Sequence, residues 1–339
     1  MITIPINRLK NISTTLVGEK AKKLYKLQSK GFKTPNGIVI TTKAYKDYIF
    51  QTGINTAINM ELGKKSLDTM RWEELWDTAL RIKNHFLNHK IPTCLSKSIL
   101  NSVAVMLENP LAIRSSSIKE DAEGVSFAGL HESFTNIRGE APLMKAIKMV
   151  WASLWSDAAL LYRKELGLSV TDNAMAVIVQ PMVTSDISGV AFGQNPINAN
   201  LNQEIVEAVN GSCEGLVSGK VEPQKWILDK KSGKVIKFVV DKNRNKTLLN
   251  KQDLSAIHTS LRKIQNTFGW EADIEWTGKN NRLTLLQARP ITTGSSNKSD
   301  KRTWYLSLKL NSESLKSLFD KVTNEIIPEL DKVSRVLSK

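Results

Sequence analysis

Polar and apolar side chains alternate in two short segments near residue 280. Asp273 and Glu275 belong to the first segment, and Gln287 and Arg289 belong to the second. Because side chains of a β-strand point alternately to opposite faces, each pair shares one face of its strand. A hairpin centred near Asn280 would pair odd-numbered residues with odd-numbered ones and place all four side chains on one surface.

These four side chains have the chemistry of a magnesium and phosphate site. Carboxylate and amide oxygens are ligands that suit Mg²⁺, and a neighbouring guanidinium suits the phosphates that the metal carries. The alternative is an ordinary solvent-facing strand surface. The intervening Ile274, Trp276, Leu286 and Ala288 have the character of a buried face, which favours the functional interpretation.

An arginine followed by a run of serines is a second candidate site. The apolar segment 111–114 predicts a short strand, and Ser115, Ser116 and Ser117 come directly after it. We expect this strand to deliver Arg114 into a polar loop, where a guanidinium fork, hydroxyl groups and backbone N–H groups would bind phosphate oxygens. An ordinary serine-rich capping turn would have the same sequence, and this segment alone leaves both interpretations open.

The segment 124–133 is rich in glycine and small residues on either side of Phe127. Such a segment permits a mobile loop with free backbone donors, which would suit a lid over phosphate groups. A plain connecting loop has the same composition, so this signal is weak by itself.

Motifs for several other kinds of site are absent from the sequence. It contains no Gly-x4-Gly-Lys-Ser/Thr loop, no Gly-x-Gly-x-x-Gly after a predicted strand, and no Cys-x2-Cys pair. His85 and His89 could share a helix face, but no cysteine or carboxylate supports them as metal ligands, so we expect a surface pair. Spacing identifies no Ser-His-Asp arrangement.

The composition is that of a globular protein. Of the 339 residues, 41% are hydrophobic and 24% are charged. No apolar run approaches the ~20 residues of a membrane-spanning helix, and no basic segment followed by an apolar one marks a secretory signal at the N-terminus. Cys94 and Cys213 lie far apart in unlike contexts, so we expect no disulfide and a cytoplasmic location.

The formal net charge is +15, from 48 basic and 33 acidic residues. A polyanionic partner and a lysine-rich solvated surface would both produce such an excess. The densest cluster, between Lys20 and Lys33, predicts the solvated side of one helix. Because no helix-turn-helix, zinc-finger or RNP motif is present, we expect neither a nucleic-acid partner nor a membrane partner.

The elements around these candidates predict an α+β chain, with helices dominant before residue 175 and strands after it. The predicted helices are 14–34, 42–50, 143–166 and 251–269, with a mostly helical region at 55–108. The predicted strands are 38–40, 111–114, 175–183, 188–192, 204–209, 224–229, 234–240, 271–276 and 283–288, with hairpin loops at 229–234 and 277–281. A core stripe is expected from Trp72, Leu75, Trp76, Leu80, Ile82 and Phe86.

These segments, taken in order, resemble the N-terminal ATP-binding domain of the pyruvate phosphate dikinase and phosphoenolpyruvate synthase family, a domain that rifampicin phosphotransferase shares. The resemblance runs from Leu16 to Thr292, most of the chain. Any one motif would be weak, whereas the ordered set is specific. The motifs are Val17-Gly18-Glu19-Lys20, Thr34 to Tyr45, Ile113 to Ser117, Ser126 to Gly129, Val179 to Val183, Ser188 to Phe192 and the hairpin with Asp273, Glu275, Gln287 and Arg289.

The resemblance implies an ATP-grasp fold, in which two α+β lobes hold the nucleotide in a cleft between them. It implies a helix-rich lobe with phosphate-binding loops at 1–183 and a sheet-rich lobe with the magnesium-nucleotide hairpin at 184–293. A linker at 294–302 and a C-terminal helical segment at 303–339 would follow.

The resemblance also implies ATP and Mg²⁺ as ligands and a role for each matching residue. The implied catalytic residues are Lys20, Arg114 and Arg289, which would contact the phosphates. The implied Mg²⁺ ligands are Glu275 and Gln287. The other implied nucleotide contacts are Asp273 as a supporting residue, Gly129, Ser133 and Phe134 in a covering loop, and Gln180, Met182 and Val183, whose backbone groups would meet the adenine.

The sequence departs from the family pattern around the first lysine. Family members often have Gly-Gly-Lys-Gly there, and this chain has Gly18-Glu19-Lys20-Ala21. The lysine is therefore retained, while the flexible glycines around it are not.

The implied function is ATP-dependent phosphoryl transfer. Family enzymes continue into a swivelling domain with a Thr-x-His-Ala phosphohistidine motif, and none of the four histidines here lies in that context. We therefore expect transfer to a histidine on a separate partner chain, as in a split dikinase, or directly to a substrate. The alternative is a nucleotide-binding interaction module without turnover of its own, in which the amphipathic segment 311–337 docks a partner subunit.

Overall fold

The structure is a computed structural model in which the chain forms two compact units. The first comprises Met1–Leu161 with Ser169–Thr293, and the second comprises Tyr162–Leu168 with Gly294–Lys339. The residues described are 1–118, 121–122, 125–126, 130–168, 173–183, 185–196, 202–217, 221–239, 247–279 and 282–291. Residues 162–168 are the described part of the second unit. They form the end of a helix, where the Leu168 N–H donates to the Arg163 carbonyl at 2.9 Å. The linker and the C-terminal segment predicted above lie outside the described residues.

The described residues form a mixed structure of helices and antiparallel sheets. The helices are α1 (Thr14–Ser29), α2 (Thr42–Gln51), α3 (Ile54–Gly63), α4 (Trp72–Asn88), α5 (Thr93–Val103), α6 (Glu140–Ser153), α7 (Asp157–Glu165), α8 (Glu214–Val217) and α9 (Lys251–Phe268). The strands are β1 (Thr3–Pro5), β2 (Ile38–Ile40), β3 (Leu111–Ser117), β4 (Asp121–Ala122), β5 (Val125–Ser126), β6 (Ser133–Ile137), β7 (Met175–Pro181), β8 (Ile187–Phe192), β9 (Gln203–Asn210), β10 (Gln224–Asp229), β11 (Val235–Val239), β12 (Ala272–Thr277) and β13 (Thr284–Pro290). Each helix of this part of the chain is too short or too polar to cross a membrane.

The first sheet has five antiparallel strands in the order β1-β2-β7-β3-β6. Strand β7 is central and buried on both faces, which explains why its sequence is almost continuously apolar. Met175, Val177 and Val179 pack on one side with α2 to α6, and Ala176 and Ile178 pack on the other side with α1.

The second sheet has six antiparallel strands in the order β11-β10-β9-β8-β12-β13. Helix α9 covers one face, where Leu254, Ile257, Leu261 and Ile264 are buried. Helix α1 contacts both sheets, because its Leu24 packs in the core of the first sheet and its Leu27 in that of the second. These contacts place α1 beside strands of both sheets.

Strand and helix predictions between residues 175 and 290 are confirmed, including helix α9 and the hairpin turn between β10 and β11. The two cysteines are unpaired, as predicted. The predicted helix 14–34 is too long, because Gly31 adopts a left-handed conformation and ends the helical hydrogen bonding: the Phe32 N–H donates to the Leu27 carbonyl at 3.1 Å.

The core stripe predicted on α4 is partly wrong. Leu75, Ile82 and Phe86 are buried as predicted, whereas Trp72, Trp76 and Leu80 are 66%, 51% and 41% exposed. The sequence carries two apolar stripes on neighbouring faces of this helix, and only one face can point into the core.

The predicted single helix 143–166 is two helices, α6 and α7. Trp155 lies in the break, where its indole N–H donates to the Tyr45 hydroxyl at 2.8 Å in the core. Ser156 then caps α7, because its hydroxyl accepts from the Ala159 N–H at 3.2 Å. Burial of Trp155 and a serine cap thus outweigh the continuous apolar periodicity.

Candidate functional site

The predicted hairpin is formed by β12 and β13. Asp273 lies opposite Arg289, and Glu275 lies opposite Gln287, so the predicted pairing of odd-numbered residues is confirmed. The Arg289 Nε donates to Asp273 Oδ2 at 2.7 Å. The four side chains share one face, since directly opposed residues of an antiparallel pair point the same way. The hairpin loop residues 280 and 281 lie outside the described residues.

The opposite face of the hairpin packs into the second core. Ile274, Trp276 and Ala288 are buried there as predicted. The register shifts after Glu275 and pairs Trp276 with Leu285, so Leu285 is buried in place of the predicted Leu286, which is only partly buried. This packing holds the polar face in position, because a register slip of one residue would turn these apolar side chains outward.

Arg114 of the first sheet contacts the polar face of this hairpin. Its Nη2 donates to Glu275 Oε2 at 3.1 Å and to Gln287 Oε1 at 2.7 Å, and its Nη1 donates to the Leu286 carbonyl at 2.6 Å. The side chains of Arg114 and Glu275 are 14% and 22% exposed, so this is a largely desolvated ion pair. We call these three residues, Arg114, Glu275 and Gln287, the arginine–hairpin cluster.

Lys20 is held near the cluster by the start of α1. The helix is interrupted at Gly18, which has φ 77° and ψ 164°, and it resumes directly before Lys20. The Ser116 hydroxyl donates to the Val17 carbonyl at 2.9 Å and accepts from the Ala21 N–H at 3.1 Å, across the interruption. Lys20 then lines a pocket with Lys23, Leu24, Gln287 and Ala288.

The predicted polar loop after Arg114 is wrong, because β3 continues to Ser117. Ser115, Ser116 and Ser117 are 1%, 0% and 4% exposed. Strand alternation places Ser116 on the face of Arg114 and turns the other two serines to the opposite face. Because the Ser116 hydroxyl already bonds α1, the three serines do not form the predicted phosphate cradle.

The predicted covering residues lie on β6 or before it. Ser133 is exposed and lies directly opposite Arg114 in the sheet. Phe134 lies opposite Ile113 and packs against the core of the first sheet. Gly129 lies outside the described residues, as does Phe127 of the proposed lid. Of these residues, Ser133 shares the face of Arg114.

The predicted adenine-contacting residues lie at the end of β7. The Gln180 side chain is buried, and its Nε2 donates to the Pro35 carbonyl at 2.9 Å. The Met182 N–H donates to the Pro110 carbonyl at 2.7 Å, so this donor is already used within the fold. Val183 is 36% exposed.

The spacing of residues in the sequence gives no sign that Cys213 lies near the hairpin. The pKa of the Cys213 thiol is raised to about 12: burial is the largest cause, the Glu275 and Asp273 carboxylates add to the rise, and Arg114 opposes it. The thiol is therefore neutral near pH 7 and lies close enough to sense all three charges. Its position depends on the strand order of the second sheet, in which β8 lies between β9 and β12, and no local pattern predicts that order.

A row of paired residues extends the polar face across the second sheet. Glu275 lies opposite Val190 of β8, and Val190 lies opposite Glu207 of β9. Glu207 also lies opposite Lys225 of β10. Lys225 Nζ and Glu207 Oε1 are 3.1 Å apart. Sequence reasoning missed this ion pair, and the alternation of β9 and β10 was the signal that could have placed both residues on that face.

The donor set of the cluster fits a magnesium ion that is shared with phosphates. Glu275 supplies a carboxylate and Gln287 an amide oxygen, and Asp273 lies beside them on the same face. Mg²⁺ typically uses one or two protein carboxylates together with water and phosphate oxygens. Among the described residues, no group of three or more His, Cys, Asp or Glu side chains could hold a metal ion by itself. His85 and His89 therefore belong to no such group.

Comparison with known proteins shows related sequences. A phosphoenolpyruvate synthase of Aeropyrum pernix is 29% identical over 84% of this chain and 42% of its own length. A rifampicin phosphotransferase of Bacillus cereus is 27% identical over 82% of this chain and 34% of its own length. A protein of Methanocaldococcus jannaschii named "Probable phosphoenolpyruvate synthase" is 28% identical over 88% of this chain and 27% of its own length.

The chain thus spans 27% to 42% of the length of these relatives. The family described as pyruvate phosphate dikinase, AMP/ATP-binding domain, matches residues 14–309. That match includes α1, every strand of the two sheets except β1, and the arginine–hairpin cluster. The chain therefore belongs to the pyruvate phosphate dikinase AMP/ATP-binding domain family.

Proposed function

We propose that this chain binds Mg²⁺–ATP and is the ATP-binding component of a phosphotransferase. The observation that carries the proposal is the arginine–hairpin cluster, in which Arg114 meets Glu275 and Gln287 across 161 and 173 residues of sequence. A guanidinium, a carboxylate and an amide oxygen within hydrogen-bonding distance are the groups that a metal-bound polyphosphate needs.

In this proposal, Glu275 and Gln287 hold Mg²⁺, and Lys20, Arg114 and Arg289 hold phosphate oxygens. When bound, Mg²⁺ would neutralise and orient the phosphate oxygens. The three basic side chains would supply fixed positive charge where negative charge gathers during transfer. Asp273 would orient Arg289 through their 2.7 Å hydrogen bond.

The rest of the nucleotide would lie between two lobes of an ATP-grasp fold, residues 1–183 and 184–293. Gly129 and Ser133 would cover the phosphates, while the Phe134 side chain stays packed against the core of the first sheet. Gln180, Met182 and Val183 would face the adenine; for Met182 the carbonyl is the backbone group that remains for this role, because its N–H bonds Pro110.

The phosphoryl acceptor would be a histidine on a separate chain or a small substrate. Relatives named phosphoenolpyruvate synthase and rifampicin phosphotransferase support phosphoryl transfer from ATP as the reaction type. The unpaired Cys94 and Cys213 fit a reducing compartment such as the cytoplasm.

Calorimetry with Mg²⁺–ATP tests the proposal. We expect binding with a Kd of about 1 mM or tighter for the wild-type chain, and a large loss in E275Q. R282M removes one exposed positive charge from the same hairpin and serves as the matched control. If the wild-type chain binds no Mg²⁺–ATP at millimolar nucleotide, the proposal is wrong.

Phosphorus NMR of the bound nucleotide then separates transfer from binding alone. AMP together with a phosphohistidine on an added partner chain would support a split dikinase, and ADP with a phosphorylated substrate would support a kinase. Intact ATP with every partner tried would instead support the nucleotide-binding module without turnover.

A further inference from the structure

Arg114 is bonded to the two side-chain oxygens that the proposed function assigns to Mg²⁺. One nitrogen, Nη2, donates to both Glu275 Oε2 and Gln287 Oε1, at 3.1 and 2.7 Å. A metal ion that used both oxygens would have to displace this nitrogen or lie directly against a positively charged guanidinium. The arginine and the metal are therefore competitors for one carboxylate and one amide.

Displacement of Arg114 by a metal alone is unfavourable. The guanidinium also donates from Nη1 to the Leu286 carbonyl at 2.6 Å, and its side chain is only 14% exposed. A buried charge that loses its partner is unfavourable, because water does not reach it to replace the lost interaction. The incoming cation would add repulsion to this cost.

A polyphosphate removes the obstacle because it offers the guanidinium a new partner. Arginine binds phosphate through two parallel hydrogen bonds, so the phosphates can accept Arg114 while the metal takes the two hairpin oxygens. The backbone of Arg114 is paired with Ser133 on one side and with Ile178 on the other. The exchange therefore requires a side-chain rotation and leaves strand β3 in place.

We propose that Arg114 makes metal binding depend on nucleotide: the divalent cation binds Glu275 and Gln287 tightly only when phosphates accept the guanidinium. This inference rests on the proposed function and adds that its two ligands, the metal ion and the nucleotide, bind cooperatively. By thermodynamic linkage, the metal strengthens nucleotide binding by the same factor. The chain thereby avoids holding a divalent cation without its nucleotide.

The test measures Mn²⁺ binding in the absence of nucleotide, by electron paramagnetic resonance of the free ion. We expect R114M to bind Mn²⁺ about fivefold or more tightly than the wild-type chain, since the competing guanidinium is gone. The double variant R114M/E275Q should lose this gain, and the control R282M should match the wild type.

R114Q is a second variant, which keeps a side-chain donor near the Leu286 carbonyl if R114M is poorly folded. If both variants show native circular dichroism but bind Mn²⁺ no more tightly than the wild type, the inference is wrong. The proposed function then still stands or falls on the separate Mg²⁺–ATP titration of the wild-type chain. A gain in Mn²⁺ affinity that survives E275Q would also overturn the inference, because the metal would not be using this carboxylate.

Discussion

Gly18 packs directly against Ser116, so closely that a Cβ atom on Gly18 would overlap the Ser116 carbonyl oxygen. This contact joins the start of α1 to strand β3, two residues before Lys20 and two residues after Arg114. The two basic groups proposed to hold phosphates are therefore positioned by one backbone contact between elements far apart in the sequence.

Substitution of Gly18 tests this contact. G18A introduces a clash and forces alanine into φ 77°, ψ 164°, a conformation that is essentially restricted to glycine. We expect a loss of about 3 kcal/mol or more in urea unfolding. G53A is the matched control, because Gly53 also has positive φ but has open space around its Cβ position; it should cost about 1 kcal/mol. Equal losses in the two variants would contradict the packing role.

Removal of the Ser116 hydroxyl should destabilise the chain and weaken nucleotide binding together. S116A leaves the Val17 carbonyl and the Ala21 N–H without their buried partner, which costs about 1–3 kcal/mol. We expect Mg²⁺–ATP affinity to fall as well, because the turn that carries Lys20 loses its anchor. S260A is the control: that hydroxyl bonds the Ala256 carbonyl within α9, and its loss should change neither quantity appreciably. Unchanged unfolding of S116A would exclude the anchoring role.

Glu275 should matter for nucleotide binding far more than a carboxylate in an ion pair elsewhere. E275Q removes the proposed anionic metal ligand, so we expect Mg²⁺–ATP affinity to fall by about tenfold or more in calorimetry. E61Q is the comparison variant, since Glu61 of α3 forms ion pairs with Lys64, directly after α3, and with Arg81 of α4, away from the hairpin. Similar affinities for E275Q and the wild type would remove Glu275 from the proposed site.

The two cysteines should differ sharply in reactivity. Cys94 is exposed, whereas burial raises the pKa of Cys213 to about 12. Because the thiolate is the reactive form, we expect iodoacetamide at about pH 8 to alkylate Cys94 and to spare Cys213 until the chain unfolds. Mass spectrometry of the native and urea-treated chain reads both sites. Rapid modification of Cys213 in the native chain would show that it is open to solvent.

The raised pKa of Cys213 also predicts that the free energy of unfolding depends on pH. The pKa of Cys213 is higher in the folded chain than the ordinary value of 9.0, so the folded state holds this proton more strongly. The resulting stabilisation is complete below about pH 9 and is lost as the pH rises toward 12. C213A should therefore lose less stability over this alkaline range than C94A, as measured by urea unfolding at each pH.

Local patterns were sufficient for most elements and for the polar face of the hairpin. Alternation in β12 and β13 predicted that Asp273, Glu275, Gln287 and Arg289 share a surface, because the period of a strand is set by its own backbone. The same kind of local pattern failed on α4, where Trp72 and Trp76 continue an apolar stripe as regular as the buried one. Which stripe is buried depends on the neighbours of the helix.

The sequence by itself determined the identity and spacing of the reactive groups, the strands that carry them, and the family to which they point. Only the tertiary structure decided that Ser116 anchors a helix rather than a phosphate, and that Arg114 holds Glu275 and Gln287. These contacts join residues from 95 to 173 positions apart. Such pairings follow from how α1 and the two sheets pack together, and no periodicity within a single element encodes them.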